Sequence, residues 1–194
     1  GYISSPTEVT VSSKNDTTIV KTSKILIATG SEAAALNNIS IDEKKIVSST
    51  GALELTTVPK KFIVVGGGYI GLEMGTVWRR LGSEVTVIEY LDRILPGMDS
   101  EIAKKFKLIL QKQGIKFELN TAIQDAKIIK NHVQLSAINN SSQEKLSFEA
   151  DVVLIATGRI PNTNNIGLED LGVKLSQKGQ VLVNDKFQTN IPTI

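Results

Sequence analysis

The chain has 194 residues, with 22 Lys+Arg against 20 Asp+Glu, one His and no cysteine. A hydrophobic share of 41% with 22% charged residues excludes a disordered or collagenous chain, and a net charge of +2 argues against a nucleic-acid or acidic-membrane surface. Without cysteine there are no disulfide staples, zinc fingers, thiol nucleophiles or iron–sulfur ligands, and His132 is the one histidine a serine triad could use.

From the amino end, Gly1-Tyr2-Ile3-Ser4-Ser5-Pro6 has neither an initiator Met nor a signal-peptide pattern. Glu8–Val11 and Thr18–Val20 alternate as strands do, and the apolar run Lys24-Ile25-Leu26-Ile27-Ala28, halted by Thr29-Gly30, reads as another. Phe62-Ile63-Val64-Val65 is a β-branched run suited to a parallel strand buried on both faces. It runs into Gly66-Gly67-Gly68 and a helical pattern in which Ile70, Met74, Val77, Trp78 and Leu81 form one apolar stripe, ended by Gly82. Val85–Glu89 is the next strand. Asp99 or Ser100 caps a second helix whose expected buried face is Ile102, Phe106, Ile109 and Leu110, and Gly114 ends it before the strand Ile115–Leu119. Ile123 to Phe148 alternates around a polar turn at Asn139-Asn140-Ser141-Ser142, which reads as a hairpin tip tolerant of change. Asp151–Ala156 is a last buried strand before Thr157-Gly158, and the tail from Val181 returns to short strand and turn character.

Strands alternating with helices over short links predict an α/β fold. Its core is a Rossmann-like, doubly wound parallel sheet with an antiparallel meander in one crossover. The strings Ile25–Gly30 and Val153–Gly158 are nearly identical. Either this is chance or each closes a nucleotide-binding sheet, one of them incomplete.

Gly66-Gly67-Gly68-Tyr69-Ile70-Gly71 lies between a buried strand and an amphipathic helix, the context a dinucleotide fingerprint requires. Gly66 permits the tight turn, Gly68 lets a pyrophosphate approach the backbone, and Gly71 lets the helix pack close to the sheet. The exposed amides and dipole at the helix start favour the diphosphate. Glu89, eighteen residues past Gly71, can accept both adenosine ribose hydroxyls and repel a 2′-phosphate. At 4 Å that repulsion is roughly 1 to 4 kcal/mol, so NAD is expected over NADP. Arg93 is either a solvated loop residue or an acceptor of a 2′-phosphate. Glu73 is either an exposed partner of the helix dipole or a carboxylate near the nicotinamide. Trp78 reads as core, His132 as a surface or edge residue, and Lys104, Lys105, Lys107 and Lys112 as a solvated face.

Four strings carry a family likeness: Ile46–Leu53 leading through Val58-Pro59-Lys60-Lys61 to Gly66–Glu73, Leu110–Gly114, Ala156–Asn162, and Phe187–Pro192. Over essentially the whole chain they resemble the flavoprotein disulfide reductases, and within them the dihydrolipoyl dehydrogenase branch. The resemblance implies that Gly66, Gly67, Gly68, Tyr69, Ile70, Gly71, Leu72 and Glu73 hold NAD, with Glu73 beside nicotinamide and flavin. It implies that Glu89 binds the adenosine ribose, that Ile123 lines the adenine side, and that Gly158 lies beside the nicotinamide. Tyr69 matches a position that gates the nicotinamide pocket in the glutathione reductase branch and varies in this one. Thr29, Gly30 and Ser31 match the end of a FAD domain. The expected division is 1–47 as the end of the FAD domain, 48–180 as the NAD domain and 181–194 as a return segment.

The resemblance further implies a parent that oxidises dihydrolipoamide through a redox disulfide and FAD and passes hydride to NAD. Lipoyl domains of 2-oxo acid dehydrogenase complexes and a homodimer mate would be its partners, with no nucleic acid and no membrane. The setting would be bacterial cytoplasm or mitochondrial matrix. The family's flavin glycine motif, C-x-x-x-x-C and His-Glu pair lie outside these residues. The chain is thus expected to bind NAD, to have no catalytic residue or metal ligand of its own, and to be inactive alone. The alternatives are another family branch (soluble transhydrogenase, mercuric reductase or NADH oxidase) or a catalytically silent nucleotide-binding fragment.

Overall fold

A computed structural model describes residues 1–194, which divide into two compact units: residues 33–158, and residues 1–32 together with 159–194. Packing sets these units: Leu36, Ile39 and Ile41 join the core of the larger one, whereas Leu168, Val173 and Val181 cluster with Ile3.

The amino-terminal segment forms an antiparallel meander of β1 (Tyr2–Ser5), β2 (Glu8–Ser12) and β3 (Thr17–Lys21), followed by the short β4 (Ser31–Ala33). The expected strand at Lys24–Ala28 is not one. Its backbone joins no ladder; Ile25 donates its N–H to the Thr193 carbonyl at 2.8 Å, Ile25 and Ile27 pack inward, and Leu26 stands exposed. An apolar run makes a strand only where a neighbouring strand offers hydrogen bonds, and this one has none.

The larger unit begins with β5 (Ile46–Val47) and α1 (Ser49–Glu54), a helix that periodicity alone does not announce. Its start is chemically legible: the Ser48 hydroxyl accepts the Thr50 N–H at 3.1 Å as an N-cap. Then come β6 (Lys61–Val65), α2 (Tyr69–Leu81), β7 (Glu84–Ile88), α3 (Ser100–Lys112) and β8 (Lys116–Glu118). A second meander, β9 (Thr121–Ile129), β10 (His132–Asn139) and β11 (Lys145–Ala150), leads into β12 (Val152–Ile155). The parallel sheet has the order β5-β12-β6-β7-β8.

Alternation along the strands separates two apolar layers. Phe62, Val64, Val85, Val87 and Leu154 face Leu72, Trp78 and Leu110 of the helices, while Ile63, Val65, Val153 and Ile155 face Val133, Leu135 and Ala150 of the meander. The α/β fold with a parallel sheet and a meander crossover is as expected; the meander occupies the face where a second helix layer would otherwise pack.

Both expected helix faces need correction. In α2 the buried residues are Gly71, Leu72, Gly75 and Trp78, and Val77 and Leu81 are 45% and 56% exposed. The two glycines decide this, because a methyl on Gly75 would already touch Val85 at 3.4 Å and one on Gly71 would meet Val64 at 2.9 Å. The helix lies so close to the sheet that its glycine face, not its bulkiest face, points inward. In α3 only Leu110 of the four expected residues is buried, together with Ala103, so Ile102, Phe106 and Ile109 remain open to solvent. The terminators behave as expected. Gly82 is left-handed at φ 112°, Gly114 at φ 90°, and Asp99 caps α3 by accepting from Glu101 and Ile102.

The chain returns to the smaller unit through β13 (Arg159–Pro161), which pairs with β4, and the tail adds one isolated bridge, Leu175 with Val181. Trp78 is core, tilted against Phe62 at 5.8 Å, and its Nε1 has no hydrogen-bond partner. His132 is half exposed at the start of β10, with Nδ1 3.2 Å from the Asp151 carboxylate.

Candidate functional site

Strand order reverses at β6, which has β7 on one side and β12 on the other. Open α/β sheets bind ligands at such a switch point, outside the carboxyl ends of the strands. A cleft of about 520 Å³ lies there. Val65, Gly66, Gly68 and Thr157 line it at the strand ends, Ile88, Glu89, Tyr90 and Leu91 on one side, and Thr121, Ala122 and Ile123 on another, with Leu36 and Pro96 at its margins. Its size falls in the range of small-ligand pockets.

The glycines do different work. Gly66 sits at φ 110°, and a methyl there would lie 2.4 Å from the Ala156 carbonyl oxygen. Gly71 is pressed against the Gly66 carbonyl oxygen, 2.2 Å from where its own methyl would be. These two are required by the fold. Gly68 has ordinary backbone angles, φ −76° and ψ 176°, and a methyl on it would meet nothing within 4 Å. Its missing side chain is therefore not needed for packing, and leaves open the approach to the start of α2. As N-cap it contributes no side-chain acceptor, so the first-turn amides keep their capacity for an anion.

Glu89 is 8% exposed and both of its carboxylate oxygens are engaged. Oε2 accepts the Gly67 N–H at 2.5 Å and Oε1 accepts the Leu91 N–H at 2.9 Å. The Gly67 carbonyl in turn accepts from Leu95 at 3.0 Å, so the glycine loop is tied to segment 89–95 through both of its peptide groups. An ionised carboxylate offers about four lone-pair sites, so two remain for ligand hydroxyls. Arg93 donates from Nη2 to the Pro96 carbonyl at 2.6 Å; it shapes its own loop and does not line the cleft.

Of the other residues singled out, Ile123 lines the cleft with Gly66, Gly68 and Glu89. Tyr69, Leu72 and Glu73 line a separate groove between α2 and α3, with Thr76, Val77 and Phe106. Leu72 is buried in the helix layer, Tyr69 and Glu73 are exposed, and Ile70 is half-buried. Gly158 follows β12 at φ 151°, and its carbonyl accepts from Ala34 at 3.0 Å. In the smaller unit, Asn162 donates to the carbonyls of Thr29 and Gly30, and Arg159 donates to the Ser31 hydroxyl at 2.7 Å and to its carbonyl. The carbonyls of Thr29, Gly30 and Ser31 and the Ser31 hydroxyl thus have partners within their own unit. Tyr90, Leu91, Thr121 and Thr157 are cleft residues that motif reading passes over, although Tyr90 and Leu91 directly follow Glu89.

Two acidities are displaced. Burial alone would raise the Asp42 carboxyl, but the N–H groups of Ile46, Lys44 and Lys45 all donate to it at 2.8–2.9 Å, and its pKa lies below the usual aspartate value. The Tyr2 hydroxyl donates to Asp170, and that bond, with the nearby negative charge, raises its pKa.

A cleft at a strand-order switch, beside a glycine loop and a helix start without a side-chain cap, is the arrangement of an open, doubly wound α/β protein. The family described as pyridine nucleotide-disulphide oxidoreductase matches residues 3–194, and the chain belongs to that family. It is 50% identical over 195 residues to dihydrolipoyl dehydrogenase 1, mitochondrial, of Arabidopsis thaliana, covering 100% of this chain and 38% of that protein. It is 47% identical over 192 residues to the mitochondrial dihydrolipoyl dehydrogenase of Pisum sativum, covering 98% and 38%. Among solved structures, the Cu(II) complex of the HOCl-induced flavoprotein disulfide reductase RclA from Escherichia coli superposes with a TM-score of 0.82 at 29% identity, over 96% of this chain and 41% of that one. The chain thus spans about two fifths of the length of these relatives.

Proposed function

We propose that the cleft beside Gly68 binds NAD(H), and that the chain is the coenzyme-binding part of a dihydrolipoyl dehydrogenase. The observation that carries the first half is Gly68: packing does not require a glycine there, and the open backbone faces a cleft shared with a buried carboxylate that has acceptor capacity to spare. The diphosphate would lie on the amides at the start of α2 and the adenosine ribose on Glu89, with Ile123 on the adenine side. Glu73 and Gly158 would flank the nicotinamide. A buried carboxylate held by two N–H groups disfavours a 2′-phosphate, which supports NAD over NADP.

Bound NAD supplies the hydride acceptor, and FAD of the whole enzyme the donor; the protein's part is to bind and orient. The residues present fit NAD. For FAD, Thr29–Ser31 carry only the family likeness. On this reading residues 33–158 are the NAD domain, and residues 1–32 and 159–194 belong with the FAD domain. Lipoyl domains and a homodimer mate would be partners of the whole enzyme, and the mitochondrial relatives at 47–50% identity support a mitochondrial setting.

Titration with NADH, read by nicotinamide fluorescence, tests the reading. Saturable binding is expected, weaker for NADPH by at least tenfold. No binding at millimolar NADH leaves a silent scaffold as the better account, and equal affinity for NADPH removes the role given to Glu89.

A further inference from the structure

The hairpin tip at Asn139–Ser142 reads in sequence as tolerant of change, yet the structure ties it to the rim of the cleft. Asn139 sets the turn, its Oδ1 accepting the N–H groups of Ser141 and Ser142 at 3.0 Å each. That turn presents Asn140, whose Nδ2 donates to the Tyr90 carbonyl at 3.0 Å and whose N–H donates to the Asn120 carbonyl at 2.6 Å. Asn120, left-handed at φ 52°, passes the connection on by donating to the Leu91 carbonyl at 2.9 Å. Thr121 donates to the Glu89 carbonyl at 2.9 Å. The consecutive carbonyls of Glu89, Tyr90 and Leu91 are thus all held from the meander side. The Leu91 N–H holds Glu89 Oε1, and Glu89 Oε2 holds the glycine loop at Gly67.

We propose that Asn140 is a positioning residue for the adenosine end of the coenzyme: its Nδ2–Tyr90 bond holds the Glu89–Leu91 strap, and through it the Glu89 carboxylate, in the ligand-ready arrangement. This rests on the NAD reading of the cleft. Asn140 does not itself line the cleft; it reaches a lining residue through the Tyr90 carbonyl, 50 residues away in sequence. An aspartate at this position has no hydrogen to donate and sets a negative charge against the Tyr90 carbonyl, so it disturbs the strap more than alanine does.

The test compares wild type, Asn140→Ala, Asn140→Asp and the control Ser141→Ala, whose hydroxyl holds nothing in the strap. Affinities are measured for NADH, AMP and nicotinamide mononucleotide, with thermal midpoints alongside. One lost hydrogen bond predicts about fivefold weaker NADH and AMP binding in Asn140→Ala, equivalent to about 1 kcal/mol, and a larger loss in Asn140→Asp. Nicotinamide mononucleotide affinity and the control are expected to stay at wild-type values, and the thermal midpoints of the Asn140 variants to fall by no more than about 2–4 °C, the worth of one such bond. The proposal is overturned if both Asn140 variants bind NADH and AMP as wild type does, or if mononucleotide affinity falls in step with AMP, which marks general destabilisation. Failure of wild type to bind NADH or AMP defeats the underlying NAD reading instead, and the two failures are separate.

Discussion

Gly68→Ala separates folding from binding at one methyl group. On the folding side, φ −76° and ψ 176° suit alanine and nothing lies within 4 Å of the new carbon. Losing glycine's unfolded-state entropy gains about 0.4–1 kcal/mol, while alanine is a poorer N-cap by a similar amount. Stability should stay within about 1 kcal/mol of wild type. On the binding side, the methyl stands where a diphosphate must approach the α2 amides. Forcing one carbon into close-packed space costs about 1–3 kcal/mol, a loss of about 5- to 150-fold in NADH affinity. Gly71→Ala is the counterpart. Its methyl would lie 2.2 Å from the Gly66 carbonyl oxygen, backbone against backbone, so stability should fall by about 1–3 kcal/mol or more. Urea unfolding and NADH titration of the three proteins give both quantities. Wild-type NADH affinity in Gly68→Ala would falsify the assignment of this backbone to the diphosphate.

Glu89→Ala should lower stability by about 1–3 kcal/mol in urea unfolding, because the Gly67 N–H is left buried without a partner, and should also weaken NADH binding. A stable variant that merely bound less NADH would show that the carboxylate serves the ligand and not the loop. Ser83→Ala removes a buried hydroxyl that donates to the Pro59 carbonyl at 2.6 Å, and a loss of about 1–2 kcal/mol by the same method is expected. Asp42→Asn keeps an acceptor oxygen but removes the charge. The folded-state pKa lies below the ordinary 3.8, so the stabilisation from the ionised form is fully present above about pH 4 and is lost as pH falls through the folded value. The variant should be less stable than wild type at pH 7, by about 1 kcal/mol or less given the exposure of the site, and the gap should close on acidification. A gap that widened toward acid would reverse the sign of the argument.

The strand–glycine turn–helix motif was legible from residues because its physics is local. A buried strand, a glycine turn and a helix start follow one another within Phe62–Gly71, and Glu89 closes the next strand, so spacing alone brings them to one end of the sheet. The strand run of the sheet was legible for the same reason, since β-branched stretches buried on both faces have few other uses. The inward face of α2 was not. Periodicity ranks Val77 and Leu81 as core, but Gly71 and Gly75 let the backbone approach β6 and β7, and closeness of approach is a property of the pair of elements. Lys24–Ala28 failed as a strand for a related reason: pattern describes a segment, and a ladder needs a neighbour.

By itself, then, the sequence determined where the glycine turn and the buried Glu89 stand along the chain, because torsional freedom and hydrogen-bonding groups are carried by individual residues. Only the tertiary structure decided that the Glu89 carboxylate pins Gly67 and Leu91, and that Asn140 reaches the Tyr90 carbonyl. Those contacts join segments that strand pairing alone brings together, and register is set by how both faces of the sheet are buried at once.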